Sequence, residues 1–148
     1  MIMDINKILQ EYDQRFLDKK NREMFQLNTQ WNKGVSSQSG VYAFFDKDKI
    51  IYIGETGSLK GRMSDVRRTV NHTLRRTIGN RLFLNIKGFN KATSKNKFPE
   101  HIEILINEYM EKLHVAIIPI PFGRAEIEEY LIEKYNPAFN TKTKRKSV

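Results

Sequence analysis

Two β-rich runs joined by a four-residue charged turn constrain this chain more than any other feature. Val41-Tyr42-Ala43-Phe44-Phe45 and Ile50-Ile51-Tyr52-Ile53 flank Asp46-Lys47-Asp48-Lys49. Apolar, aromatic-rich runs of this length bounded by a polar turn form a β-hairpin. Each strand carries one tyrosine beside a glycine: Gly40-Val41-Tyr42 on the first and Tyr52-Ile53-Gly54 on the second.

Helical signals surround the hairpin. Ile5, Ile8, Leu9, Tyr12 and Phe16 recur at helical spacing behind Asp4, so residues 4–25 are expected to open with a capped amphipathic helix. Residues 32–40 have loop composition and separate this N-terminal extension, 1–34, from a main domain expected at 35–140. Ser58 is placed to cap a helix reaching about Arg68, and Thr73 to cap one carrying Leu74, Ile78 and Leu82. Pro99 suits a first helical turn ahead of the stripe Ile102, Leu105, Ile106, Tyr109 and Leu113. Val115-Ala116-Ile117-Ile118 reads as a third strand, and a last helix from about Arg124 to Tyr135 stops before Pro137. The expected fold is therefore α+β, a small, mostly antiparallel three-stranded sheet flanked by helices.

The 148 residues carry 26 Lys and Arg against 17 Asp and Glu, a formal charge of +9 that points to a polyanionic partner. The charge is segregated: residues 55–82 hold seven basic and two acidic side chains, whereas 99–135 hold three basic and eight acidic ones. A basic tail occupies 141–148. Cysteine is absent, which removes disulfides and thiolate zinc sites and fits a reducing compartment. His72, His101 and His114 lack metal-ligand spacing. No apolar run reaches the roughly 18 residues of a membrane span, and the first residues lack signal-peptide character, so a cytoplasmic location is expected.

The paired Gly-x-Tyr and Tyr-Ile-Gly segments resemble the signature of the GIY-YIG nuclease family, and further elements follow in that family's order. Arg62, ten residues after Tyr52, stands where the family has its catalytic arginine. Glu129, in Glu129-Tyr130-Leu131-Ile132, looks like the family's metal-binding glutamate, and Asn140 ends Asn136-Pro137-Ala138-Phe139-Asn140, similar to the end of the family domain. The resemblance implies a Mg²⁺-dependent (or Mn²⁺-dependent) endonuclease that hydrolyses DNA phosphodiester bonds, of restriction or host-defence type. Tyr42 is the expected general base and Tyr52 its neighbour, or the reverse; Arg62 would bind transition-state charge, Glu129 the metal, and Asn140 would orient the loop. Members often carry a histidine shortly after the arginine; here the nearest is His72, a phosphate contact, a proton relay or an ordinary helix-start residue. Glu55, directly after Tyr52-Ile53-Gly54, is either a second acid near the metal or a solvated turn residue. Lys60, Arg67, Arg68, Arg75, Arg76 and Arg81 are expected to form a DNA-contacting surface. The competing readings are a non-catalytic nucleic-acid-binding module and a nuclease acting on single-stranded DNA or RNA. Selectivity would come from the N-terminal helix, the basic insert 85–98, dimerisation or a partner.

Overall fold

A computed structural model describes residues 4–140, so the expected basic tail lies outside the described residues. Four strands, β1 (Arg22–Met24), β2 (Gly40–Asp46), β3 (Lys49–Thr56) and β4 (His114–Pro119), form an antiparallel sheet in the order β1-β4-β2-β3. The hairpin is β2–β3, closed at Lys47, whose φ of 56° lies in the left-handed region. The sequence predicts three strands, and a fourth is found. β1 is three residues long, two of them charged, and without alternation. It exists because Arg22, Glu23 and Met24 pair with Ala116, Val115 and His114, so no local pattern marks it.

The helices are α1 (Ile5–Leu17), α2 (Thr29–Lys33), α3 (Leu59–Asp65), α4 (Thr73–Leu82), α5 (Glu100–Met110) and α6 (Arg124–Tyr135). Asp4 caps α1 by accepting from Lys7 N–H. That helix stops at Leu17, well short of residue 25, because Asp18 turns the chain and caps a 3₁₀ turn at Lys19–Asn21. α3 also ends earlier than expected, at Asp65. His72, not Thr73, caps α4, through its ring nitrogen, and Pro99 precedes α5 rather than starting it.

Both faces of the sheet are covered, and this fixes where the hairpin tyrosines point. Successive strand residues face opposite ways. Val41, Ala43, Phe45, Ile53, Ala116 and Ile118 pack with Phe16 of α1 and with Ile127 and Leu131 of α6. Tyr42, Phe44 and Tyr52 take the other face with Leu59 and Met63 of α3, Leu74 and Ile78 of α4, and Ile102 and Ile106 of α5. Burying a large apolar side chain stabilises by about 1.5–3 kcal/mol, so each face has its own cohesive cluster. The N-terminal segment belongs to this architecture, with α1 against α6 and β1 in the sheet. No helix among the described residues is long and apolar enough to cross a membrane.

Candidate active site

The glycines beside the two tyrosines have a steric purpose. Tyr42 pairs across the hairpin with Gly54, and its phenol ring lies over the glycine so closely that an added Cβ would overlap the hydroxyl end of the ring. Gly40 is equally constrained, because a Cβ there would meet the carbonyl of Ile118 on β4. With Gly54 bare, the Tyr42 and Tyr52 rings stack, centroids 6.1 Å apart and planes inclined by 29°.

His72 joins them from the turn between α3 and α4. Its ring meets Tyr52 edge-on at 5.4 Å, and its Nε2 lies 2.8 Å from the Tyr42 hydroxyl oxygen. The Leu74 backbone N–H donates to His72 Nδ1 at 3.0 Å. In the neutral imidazole the proton therefore sits on Nε2, which donates to the Tyr42 oxygen. Burial and the charges of Arg62, Arg76 and Arg75 hold the His72 pKa well below its usual value, so the neutral form prevails at pH 7. Tyr42 thus accepts from His72 and keeps its own proton for a group on the other side.

Arg62 reaches the phenols from α3, whose first turn is capped when Ser58 accepts from Gly61 N–H. Its Nη1 donates to Asp65 Oδ2 and to the Asn71 carbonyl, both at 3.2 Å. Its side chain is 29% exposed, so the charge faces both the phenols and solvent. Burial raises the pKa of both phenols, and Arg62 opposes that rise at each. Both are protonated at neutral pH, and added positive charge would favour their phenolates.

On α6, the carboxylate whose charge reaches the Tyr52 phenol is that of Glu128. On α6 the buried positions are Ile127, Glu128 and Leu131. Glu128 is 3% exposed, and its carboxylate lies close enough to Tyr52 to raise the phenol's pKa. Glu129, the residue singled out from the sequence, is only half-buried, about 100° further around a helix of 3.6 residues per turn. Glu128 shares a helix face with Leu131, Ile132 and Tyr135, three, four and seven residues on, which pack with the Val41–Phe45 side of the sheet, whereas Glu133 and Asn136 occupy two of the corresponding positions after Glu129; the phase marks Glu128 as buried.

The remaining expected residues are divided among different places. Asn140 grips the edge of the sheet: its Oδ1 accepts from Ile53 N–H at 2.9 Å and its Nδ2 donates to Ile53 C=O at 2.8 Å. It supports the residue between Tyr52 and Gly54. Glu55 accepts from Arg124 Nε at 2.7 Å, tying β3 to α6. Arg75 is no surface residue. It is 2% exposed and paired with Glu103 at 2.8 Å. Arg76 is half-buried, donates to the Thr69 and Val70 carbonyls at 2.9 and 3.0 Å, and its charge acts on Tyr52 and His72. Sequence reasoning placed Arg76 on the DNA-contacting surface rather than beside the phenols, and it ranked Glu128 below Glu129. Arg81 is exposed, but it donates to the Ala138 carbonyl and lies 5.9 Å from the Phe139 ring centroid. Lys60 and Arg67 are half-buried and Arg68 is exposed.

A model of the GIY-YIG catalytic domain matches residues 27–148. The chain belongs to that family. This GIY-YIG domain is a nuclease, an enzyme of the hydrolase class. No curated protein matches it significantly. Among solved structures, it is similar to the GIY-YIG N-terminal endonuclease domain of UvrC from Thermotoga maritima bound to its catalytic divalent cation, magnesium, at 21% identity and a TM-score of 0.40, over 84% of this chain and 99% of that one. A point mutant of that domain bound to the cation gives 20% identity and a TM-score of 0.41 over the same shares.

The neutral state of His72 in the GIY-YIG site has a measurable consequence. Its folded pKa lies below the unfolded value of about 6.5, so the unfolded chain binds more protons once the pH drops below that value. The contribution of the neutral ring is complete above about pH 6.5 and is lost on acidification, at about 1.4 kcal/mol per pH unit until the folded pKa is reached. Urea unfolding between about pH 7 and 5 should show this steeper loss in the native protein than in His72→Gln. Parallel profiles would contradict it.

Proposed function

We propose that this GIY-YIG nuclease cuts DNA by Mg²⁺-assisted hydrolysis, with Tyr42 as the base, Arg62 as the charge sink and Glu128 as the protein's metal ligand. One observation carries the reading: two phenols, a guanidinium and a neutral imidazole from β2, β3, α3 and the α3–α4 turn converge beside one another, and the charge of the buried Glu128 on α6 reaches Tyr52. The donor set fits a hard cation. Glu128 and the phenols offer oxygen, and no group of three or more His, Cys, Asp or Glu occurs among the described residues. That suits Mg²⁺, which takes one or two carboxylates and completes its shell with water and phosphate oxygens. Mn²⁺ is expected to substitute.

When bound, the cation supplies charge neutralisation for the scissile phosphate and lowers the pKa of the phenol and water beside it. The side chains do the rest. His72 donates to the Tyr42 oxygen from one side and so fixes the phenol's direction. Arg62 favours the phenolate and then neutralises the charge that builds on the phosphate oxygens. Tyr42 is assigned as the base because its oxygen receives the imidazole donor; burial raises its pKa even more than that of Tyr52, so its phenolate depends on Arg62 and the cation. Tyr52 therefore positions water. Asn140 holds the β3 edge from which Tyr52 projects.

The test incubates the protein with supercoiled plasmid, linear duplex, single-stranded DNA and RNA, each with Mg²⁺ or EDTA. Metal-dependent cutting of DNA supports the proposal; binding of every substrate without cutting overturns it. RNA or single-stranded DNA cut in preference to duplex would change the substrate assignment. A restriction-type or host-defence role belongs to the same proposal, and discrete plasmid fragments would support it, whereas uniform degradation would remove it. Arg62→Ala is expected to slow single-turnover cleavage by about 10²–10³-fold while weakening binding by less than about 10-fold. Equal losses in both would contradict its transition-state role. A cytoplasmic location, inferred from a cysteine-free chain that fits a reducing compartment, completes the reading.

A further inference from the structure

The three residues Thr69–Asn71 form a 3₁₀ turn with a different environment on each side. Arg62 donates to the Asn71 carbonyl and Arg76 to those of Thr69 and Val70, on the side of the phenols. On the other side, Arg75 Nε donates to Thr69 Oγ1 at 3.2 Å, and an open cleft of about 580 Å³ begins. Arg67, Arg68, Arg75, Lys95 and Lys97 line that cleft against a single carboxylate, Glu103.

Glu103 is already committed. Its Oε2 accepts from Arg75 Nη2 at 2.8 Å and from Thr69 Oγ1 at 2.6 Å, and its Oε1 accepts from Phe98 N–H at 3.1 Å. Among the described residues, Arg67, Arg68, Lys95 and Lys97 form no ion pair. Two buried guanidinium nitrogens, Arg75 Nη1 and Arg67 Nε, have no hydrogen-bond partner. Like charges gathered around a concavity repel, and an unsatisfied buried donor costs about 1–3 kcal/mol. An anion seated there relieves both costs.

We infer that this cleft, between the Thr69–Asn71 turn and the Lys95–Lys97 loop, binds a backbone phosphate of the nucleic acid flanking the phosphate that is cut. The inference rests on the nuclease reading. A shared wall makes the ligand part of the substrate strand: the turn whose Asn71 carbonyl binds Arg62 also supplies Thr69 and Val70 to the cleft, so a strand with one phosphate at Arg62 presents its neighbouring phosphates to the other side of the turn. Planar guanidinium forks suit phosphate oxygens, and the lysines add point charges that carry no sequence preference. The basic insert thereby acts as a clamp that sets the register of the strand in the site.

Lys95→Gln/Lys97→Gln and Arg68→Gln remove charge from the rim without touching the buried Arg75–Glu103 pair. Lys7→Gln/Lys20→Gln removes as much charge as the double variant from exposed positions on α1 and the Lys19–Asn21 turn. Binding of a labelled short duplex and the matching single strand is followed by fluorescence anisotropy in EDTA across a salt series, with circular dichroism to verify folding. The cleft variants are expected to bind at least about 10-fold more weakly at low salt, with the slope of log K against log salt reduced by about one for each phosphate that is no longer neutralised. The control pair should change affinity by less than about 3-fold. Cleft and control variants weakened alike, or cleft variants binding as tightly as the native protein, overturn the clamp. Failure of the native protein to bind either probe would overturn the nuclease reading itself.

Discussion

Glu128→Gln is expected to lower the Mg²⁺-dependent cleavage rate by at least about 10²–10³-fold, whereas Glu129→Gln should stay within a few-fold of the native rate. Glutamine keeps the shape of the side chain and removes only its charge. Glu128 is 3% exposed and its charge reaches Tyr52, so a cation between them would meet the carboxylate with little screening by water. A half-buried carboxylate one position along α6 points elsewhere and leaves most of its field in water. Single-turnover rates across a Mg²⁺ titration provide the comparison. Mg²⁺-dependent thermal stabilisation gives a second readout, which should persist in Glu129→Gln and vanish in Glu128→Gln. Normal cutting by Glu128→Gln, with loss in Glu129→Gln, would return the metal to the other carboxylate.

Arg75→Ala is expected to cost about 3–5 kcal/mol of folding stability, the usual penalty for leaving one member of a buried ion pair without its partner. Arg75 is 2% exposed, and the Glu103 side chain that it pairs with is 15% exposed. Truncation would strand that carboxylate between Thr69 and the Phe98 backbone. The double variant Arg75→Leu/Glu103→Leu should recover part of the loss, because removing both charges removes the stranded one. Urea denaturation of the two single variants and the double variant measures the coupling. A change below about 1 kcal/mol for Arg75→Ala would show that the pair is effectively solvated.

Arg75 and its neighbour Arg76 illustrate how far the sequence can be read. Both stand in a strongly basic stretch, whose charge alone predicts that both face DNA. Successive helical residues point about 100° apart, so Arg75 enters the core toward α5 while Arg76 turns back onto the carbonyls of the Thr69–Asn71 turn. Net charge marks the basic stretch but not this division, because a buried Arg is recognisable only once its carboxylate partner is located. Glu103 lies 28 residues away in the chain.

His72 shows a different limit. It stands ten residues after Arg62 in the sequence, yet the end of α3 and the 3₁₀ turn bring it back to Tyr42. A distance along the chain does not measure a distance through a turn. The acid on α6 shows another: that helix carries Glu126, Glu128, Glu129 and Glu133, and a short motif alone does not say which of them is buried.

The sequence by itself determined the hairpin, its two tyrosines, the glycines that let their rings approach, the helix bearing Arg62 and the family, because strand periodicity, turn residues and short-range motifs act between neighbours in the chain. Tertiary structure alone decided which glutamate of α6 is buried, which arginines are buried, how His72 reaches Tyr42 and that β1 completes the sheet. Those outcomes depend on the meeting of distant segments, where packing and the cost of burying charge prevail over local preference.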